Sequence, residues 1–414
     1  MRVGRIWQGV LAAALCLGAA TAVAQEPTLP AEPATHLQSA VEALAQDAAE
    51  YARQHNVSLD EAMHRLRAQE ESVAATDRLR ELYKDRLAGI SIEHRPDYRI
   101  IVLLTGDAPV ADEQVLAGDR EVPIVFRAGA LATEAQLAEA VALHQDEIRA
   151  TFRHAGGIGV DTRTGKLTVM LKWFEVFGRD LPAEEQRLSE LAGVPVRIEQ
   201  VGLTDANASI DGGSRIVGTN PADGHRYACT TGFVVGGAGG TGVVTAAHCP
   251  DSVTYYAPDG HATPLSFVGQ WGAGYQDVQV HLSDEALRPL FYADTGKSVA
   301  RVVTGWRNRT STRIGDFVCH RGERTGYSCA EVILTDYAPP PPLCAGTCDP
   351  VWVAVNGPTC KAGDSGGPVF SRGVAFGILK GASYNREGGC DLYFYMSTDY
   401  LPEGWSLTYE QAEL

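Results

Sequence analysis

The sequence predicts a mainly β protein in two parts, an α+β first half followed by a second half of many short strands. Three observations carry this reading. Apolar residues recur at helical spacing only before about residue 205. After it come short β-rich runs such as Thr231–Val235 and Gly242–Ala246, separated by Gly, Asn, Asp and Pro, the pattern of a barrel or sandwich. The charge and the cysteines divide at the same place. Residues 25–213 hold 32 acidic and 19 basic side chains and no cysteine, whereas eight cysteines lie between Cys229 and Cys390. The seam falls near Asp205–Gly218, where Asp, Asn, Ser and Gly dominate.

In chain order, Arg2 and Arg5 precede an apolar run over Val10–Ala20, and Ala22-Val23-Ala24 supplies small residues for a signal peptidase. That is the layout of a secretory leader over residues 1–24, too short in its apolar part to span a bilayer. Leu37, Ala40, Val41, Leu44 and Ala48 predict a helix over Leu37–His55. Ser58-Leu59-Asp60-Glu61 has the form of a capping box, opening a second helix that continues through Ala62 and Leu66 towards Leu79, Leu82 and Leu87. Tyr98–Leu104 and Val122–Phe126 read as strands, Thr133–Phe152 as a third helix, and Lys166–Leu171 and Val194–Val201 as strands again.

Composition bounds the function. A chain of 414 residues leaves room for two or three domains, 45% hydrophobic and 21% charged residues suit a folded protein, and a net charge of −16 argues against nucleic acid. No later stretch is apolar enough for a membrane span. With Cys16 in the leader, the remaining cysteines are Cys229, Cys249, Cys319, Cys329, Cys344, Cys348, Cys360 and Cys390, an even number in an exported chain and so a framework of four disulfides. Cys344 and Cys348 are spaced for zinc but lack a second ligand pair. No dense acidic loop demands calcium, so no metal and no organic cofactor are expected.

Three local sequences carry chemistry: Thr245-Ala246-Ala247-His248-Cys249, Gln276-Asp277-Val278-Gln279-Val280, and Gly363-Asp364-Ser365-Gly366-Gly367-Pro368. A serine hydroxyl needs an adjacent base to act as a nucleophile, and a histidine oriented by a buried carboxylate is such a base. Asp277 is preferred over Asp251, Asp259, Asp284 and Asp294 because Val278 and Val280 follow at alternate positions and would anchor it at a buried edge. The glycines around Ser365 let the N–H groups of Gly363 and Ser365 converge on one oxygen. The order His, Asp, Ser is one of the three known orders of such a triad.

On these motifs the second half resembles the chymotrypsin-like serine peptidases, and more closely their secreted bacterial branch that includes streptogrisins and alpha-lytic protease. The string Cys319-His320-Arg321-Gly322-Glu323-Arg324-Thr325-Gly326-Tyr327-Ser328-Cys329 is similar to a disulfide-closed loop of that branch, and the similarity spans roughly Gly212 to Leu401. It implies two six-stranded β-barrels with His248, Asp277 and Ser365 in the cleft between them. It implies bridges Cys229–Cys249, Cys319–Cys329 and Cys360–Cys390, which leaves Cys344 and Cys348 to each other. The first half is similar to the pro-region of the same branch over Tyr51–Ala62 and Leu191–Arg197. This implies an α+β pro-domain over residues 25–210 that assists folding and inhibits, and a peptidase domain over residues 211–414.

By the same resemblance Pro358 and Thr359 lie at the base of a substrate pocket and Lys380, Gly381 and Ala382 form a wall. With no carboxylate at the base, a small or medium apolar residue is expected before the scissile bond. Lys380 stands where relatives carry a serine; its ammonium either faces Asp277 or points to solvent. His320 or Arg321 is expected to pair with Asp364. Ala338 followed by Pro339–Pro342 and the Cys344/Cys348 pair read as a stiff surface loop, rather than a polyproline ligand. Maturation is expected around Ala206–Asp211; Arg215-Ile216-Val217-Gly218 instead resembles the activation site of animal zymogens.

The function expected is a secreted serine endopeptidase that processes itself, monomeric, with a protein or peptide substrate and its own pro-domain as partners. The alternatives are a protease-like binding protein without catalysis and a serine esterase.

Overall fold

A computed structural model describes residues 35–410 apart from 119, 153–154, 177–178, 202, 206–212, 238, 258–260, 284–286, 288, 345 and 386. The leader expected over 1–24 and the maturation stretch expected over Ala206–Asp211 lie outside the described residues.

Helix α1 (Ala40–His55) starts three residues later than its periodicity predicts. Ser39 closes a capping box with Glu42, while His36–Leu37 runs extended beside Val299–Ala300. Helix α2 (Leu59–Glu71) follows with Ser58 accepting the Glu61 N–H. The Glu61 carboxylate turns outwards to Arg65 and Arg120 instead of closing the box. The predicted continuation to Leu87 breaks at Ser72; α3 covers Val73–Leu82, and Leu87 opens a strand, Leu87–Glu93. These helices lie with a four-stranded sheet ordered Leu87–Glu93, Arg99–Thr105, Arg120–Ala130, Glu113–Ala117. Helix α4 (Glu134–Ala150), capped by Thr133 and Gln136, and a helix over Leu181–Ala192 share a second core with strands Ala155–Asp161, Lys166–Lys172 and Val196–Val201.

The second half contains one closed barrel. Strands Phe317–Gly322, Pro368–Ser371, Val374–Tyr384, Cys390–Ser397, Trp352–Asn356 and Gly326–Ala338 pair in that order, and the last pairs back onto the first. Beside it are a five-stranded sheet (Ser266–Trp271, Val278–Leu282, Gly240–Thr245, Val234–Gly237, Trp405–Leu407) and a four-stranded sheet (Arg226–Thr230, Arg215–Thr219, Val253–Tyr256, Ala262–Pro264). Among the described residues these two sheets do not join into a second closed ring. Trp405–Leu407, from the far end of the chain, supplies the edge of the five-stranded sheet by pairing with Val234–Gly237.

Two seams join the halves. One is a backbone ladder: Ala155–Asp161 pairs antiparallel with Gly326–Ala338, and Leu203–Asp205 pairs antiparallel with Ala382–Tyr384. The other is polar and buried. Asp47 of α1 meets Arg301 at 2.9 Å, both about 1% exposed, and accepts from the Tyr327 hydroxyl and the Arg372 N–H. Glu70 of α2 meets Arg307 and Arg372, and Gln69 bonds both the N–H and the carbonyl of Phe317. The stretch Arg215–Ile216, the other maturation site considered, is held in a strand between two neighbours with Ile216 buried.

Candidate active site

The strands that carry His248 and Asp277 are neighbours. Gly240–Thr245 runs into the turn bearing His248, Asp277 precedes Val278–Leu282, and Thr245 is in register with Gln279. Val278 and Val280 are fully buried, so the start of that strand is anchored as their alternation predicts. His248 Nδ1 lies 2.9 Å from Asp277 Oδ2 and 3.2 Å from Oδ1, and the His248 backbone N–H donates to Oδ1. The bridge Cys229–Cys249 sits beside the histidine.

Lys380 faces this pair and not solvent. Its Nζ is 3.2 Å from Asp277 Oδ2 with both side chains at most 3% exposed, and it lies 5.0 Å from the centre of the Trp352 ring. Burial pushes the Asp277 carboxyl up, but the Lys380 and His248 charges outweigh it and hold the group at about 2.

Ser365 sits in the turn ahead of strand Pro368–Ser371 and is buried. Gly363 there has φ +116°, a left-handed conformation that favours glycine. The carbonyls of this turn are tied to the strand Arg226–Thr230: Thr230 N–H donates to Ser365 O and Thr230 Oγ1 to Gly363 O. The N–H groups of Gly363 and Ser365 make no hydrogen bond among the described residues. The Ser365 hydroxyl donates to the Lys380 carbonyl at 3.3 Å, and among the described residues it makes no hydrogen bond to His248.

Asp364 corrects the expected pairing with His320 or Arg321. Its oxygens accept from the N–H groups of Arg324, Thr325 and Lys361 and from the Thr325 hydroxyl, so the buried carboxylate is satisfied by neutral donors. Arg321 is committed to Glu323 and to the carbonyls of Asp294 and Thr295. Burial holds the His320 imidazole down at about 4, neutral at pH 7, and it packs on the Tyr393 ring. A Cβ on Gly322 would lie 2.1 Å from Asp364 Oδ1, so a residue without a side chain is required where the carboxylate enters.

The expected pocket residues fall on two elements. Pro358 and Thr359 follow strand Trp352–Asn356, with the Thr359 hydroxyl donating to Ser328 Oγ; Lys380, Gly381 and Ala382 lie in strand Val374–Tyr384. The cysteines pair as Cys229–Cys249, Cys319–Cys329, Cys344–Cys348 and Cys360–Cys390. Arg149 of α4 donates to the carbonyls of Ala338 and Pro339, bracing the start of the proline loop. The one grouping of metal-type donors among the described residues, Asp47 with Cys319 and Cys329, does not fit a metal: both sulfurs are in a disulfide, and Asp47 is ion-paired.

No family model matches the chain. Among solved structures it is similar to Thermobifida fusca protease A (22% identity, TM-score 0.39, 49% of this chain and 100% of that one). It is also similar to a Nocardiopsis protease (23%, TM-score 0.37, 49% and 98%) and to a Cellulomonas bogoriensis chymotrypsin (20%, TM-score 0.36, 51% and 98%). The likenesses cover about half of this chain.

Proposed function

We propose that the chain is a secreted serine endopeptidase made as a self-processing preproenzyme, with residues 25–210 as pro-domain and 211–414 as a two-barrel peptidase domain. The observation that carries the reading is the hydrogen-bonded pair of a solvent-exposed His248 and a buried Asp277, together with two uncommitted N–H groups on the turn that bears Ser365. Ser365 Oγ attacks the peptide carbonyl, His248 Nε2 takes its proton and returns it to the leaving amine, and Asp277 orients the imidazole. The Gly363 and Ser365 N–H groups hold the oxyanion, a role that commonly lowers a barrier by about 3–4 kcal/mol. The attack requires the Ser365 hydroxyl to rotate from the Lys380 carbonyl towards His248, since hydrogen bonds of this kind often tighten only on substrate binding.

The same reading gives the pro-domain two functions. Pairing of Leu203–Asp205 with the wall strand supports occupancy of the substrate groove before cleavage. The ladder and the buried ion pairs support a template role for a barrel whose contacts are non-local and therefore slow to form. The pocket formed by Pro358, Thr359, Lys380, Gly381 and Ala382 would take a small or medium apolar side chain.

Intact mass of the exported product, wild type beside Ser365→Ala, tests this. Two fragments split near Asp211 in wild type and one joined chain in the variant are expected; a split in both, or in neither, removes self-processing. The absent Ser365–His248 hydrogen bond favours one rival, a protease-like binding protein. Labelling of Ser365 by an active-serine phosphonate separates the two, because a binding protein stays unlabelled. Hydrolysis of a simple ester with a protein substrate left intact would instead indicate an esterase.

A further inference from the structure

The Asp277 carboxylate has a cationic neighbour besides the histidine it would orient. Oδ2 is shared between His248 Nδ1 at 2.9 Å and Lys380 Nζ at 3.2 Å. Lys380 is the extra residue of a bulge: Leu379 pairs with Tyr395 and Gly381 with Phe394, so two steps on one strand match one step on its partner. Such a bulge re-aims a side chain out of the strict alternation of a strand, and here the bulged residue is also the one whose carbonyl holds the Ser365 hydroxyl. The other groups packed on the carboxylate are neutral. Met396 Sδ accepts the Asp277 N–H, and the Trp352 ring lies against the ammonium. Gln276 is turned away to the Tyr400 carbonyl, and among the described residues Asp277 forms ion pairs only with His248 and Lys380.

We propose that Lys380 is a positioning residue for the Ser365 site: its ammonium is a second counter-cation on Asp277, which keeps the carboxylate in place while His248 is neutral and extends the site's working range to lower pH. The proposal rests on the peptidase reading for its kinetic consequence but not for its electrostatics. A buried carboxylate facing a neutral imidazole alone would be poorly balanced, and the lysine balances it. Its cost is to the imidazolium, which forms beside a like charge and gains less from a carboxylate already paired.

The test reads the His248–Asp277 proton directly. In the full chain carrying Ser365→Ala, the far-downfield Nδ1 proton of His248 is followed by NMR against pH, with and without Lys380→Met. The midpoint is expected to rise by about one pH unit in Lys380→Met, the size of effect an adjacent buried charge commonly has, and to return in Lys380→Arg. An unchanged midpoint in Lys380→Met overturns the proposal; Lys380→Gln takes its place if Lys380→Met does not fold. In chains with Ser365 intact, the acid limb of kcat/KM on a peptide anilide should move by the same interval. A fall in kcat with the limb unmoved would leave the lysine a merely structural residue and overturn the proposal as well. If the parent chain cleaves no peptide, the peptidase reading fails on its own while the titration still decides the lysine.

Discussion

The two seams that join the first half to the barrel hold by different physics. At the sheet seam, Thr335 and Ala338 align with Val160 and Ile158 through main-chain hydrogen bonds, which are indifferent to the side chains that flank them. At the helical seam, Asp47, Gln69 and Glu70 reach into the barrel surface and meet Arg301, Phe317, Arg307 and Arg372 as specific partners. The acidic excess of residues 25–213 finds part of its use here. A ladder tolerates substitution, whereas a buried ion pair is costly to break because the abandoned charge stays behind.

That contrast predicts unequal losses. Asp47→Ala should be the most damaging, about 3–5 kcal/mol by urea denaturation of the full chain, since Arg301 would be left buried without a carboxylate. A loss below about 1 kcal/mol would show that the helical seam does not depend on its charges.

Acid should be next in effect, through His55 and His94. Burial holds their imidazoles down at about 4 and about 3, and the charges facing them are Arg65, Arg95, Arg163 and Glu331. The unfolded chain takes up these protons first, so stability is full above about pH 6.5 and falls towards pH 4, by up to about 1.4 kcal/mol per pH unit for each ring. Glu331, whose carboxyl burial raises, opposes part of this loss. His55→Phe should flatten the dependence of the urea midpoint on pH; an equal slope in the variant would assign the loss elsewhere.

The smallest effect belongs to the ladder. The Thr335 hydroxyl is buried with no hydrogen-bond partner among the described residues, so Thr335→Val should change stability by no more than about 0.5 kcal/mol in the same assay.

Much of the site could be read in advance because its parts are local. Ser365 sits in a short string with few bland uses, His248 gains its weight only in company with that string, and the alternation after Asp277 marked its buried edge. What escaped was set by contacts distant in sequence. Asp364 takes three of its four donors from a loop some 40 positions earlier, where backbone N–H groups leave no trace in residue type. Lys380 was ambiguous because a bulge, which no periodicity reveals, decides where its side chain points. The strand Leu87–Glu93 was absorbed into a helix by the spacing of Leu79, Leu82 and Leu87, although Ile90 and Ile92 carry the alternation that marks it. The helix over Leu181–Ala192 passed unnoticed despite the Asp180 cap and the proline in its first turn.

The pairing of Trp405–Leu407 with Val234–Gly237 has a consequence for synthesis. The sheet that carries the approaches to both His248 and Asp277 keeps an open, glycine-containing edge until a strand made much later arrives to cover it. During synthesis that edge is available to any other extended chain, including a second copy of the same nascent protein. A chain clipped before Trp405 would retain every residue assigned to chemistry here and still present a sticky border. Aggregation, rather than loss of the nucleophile, is the defect to look for in such a product.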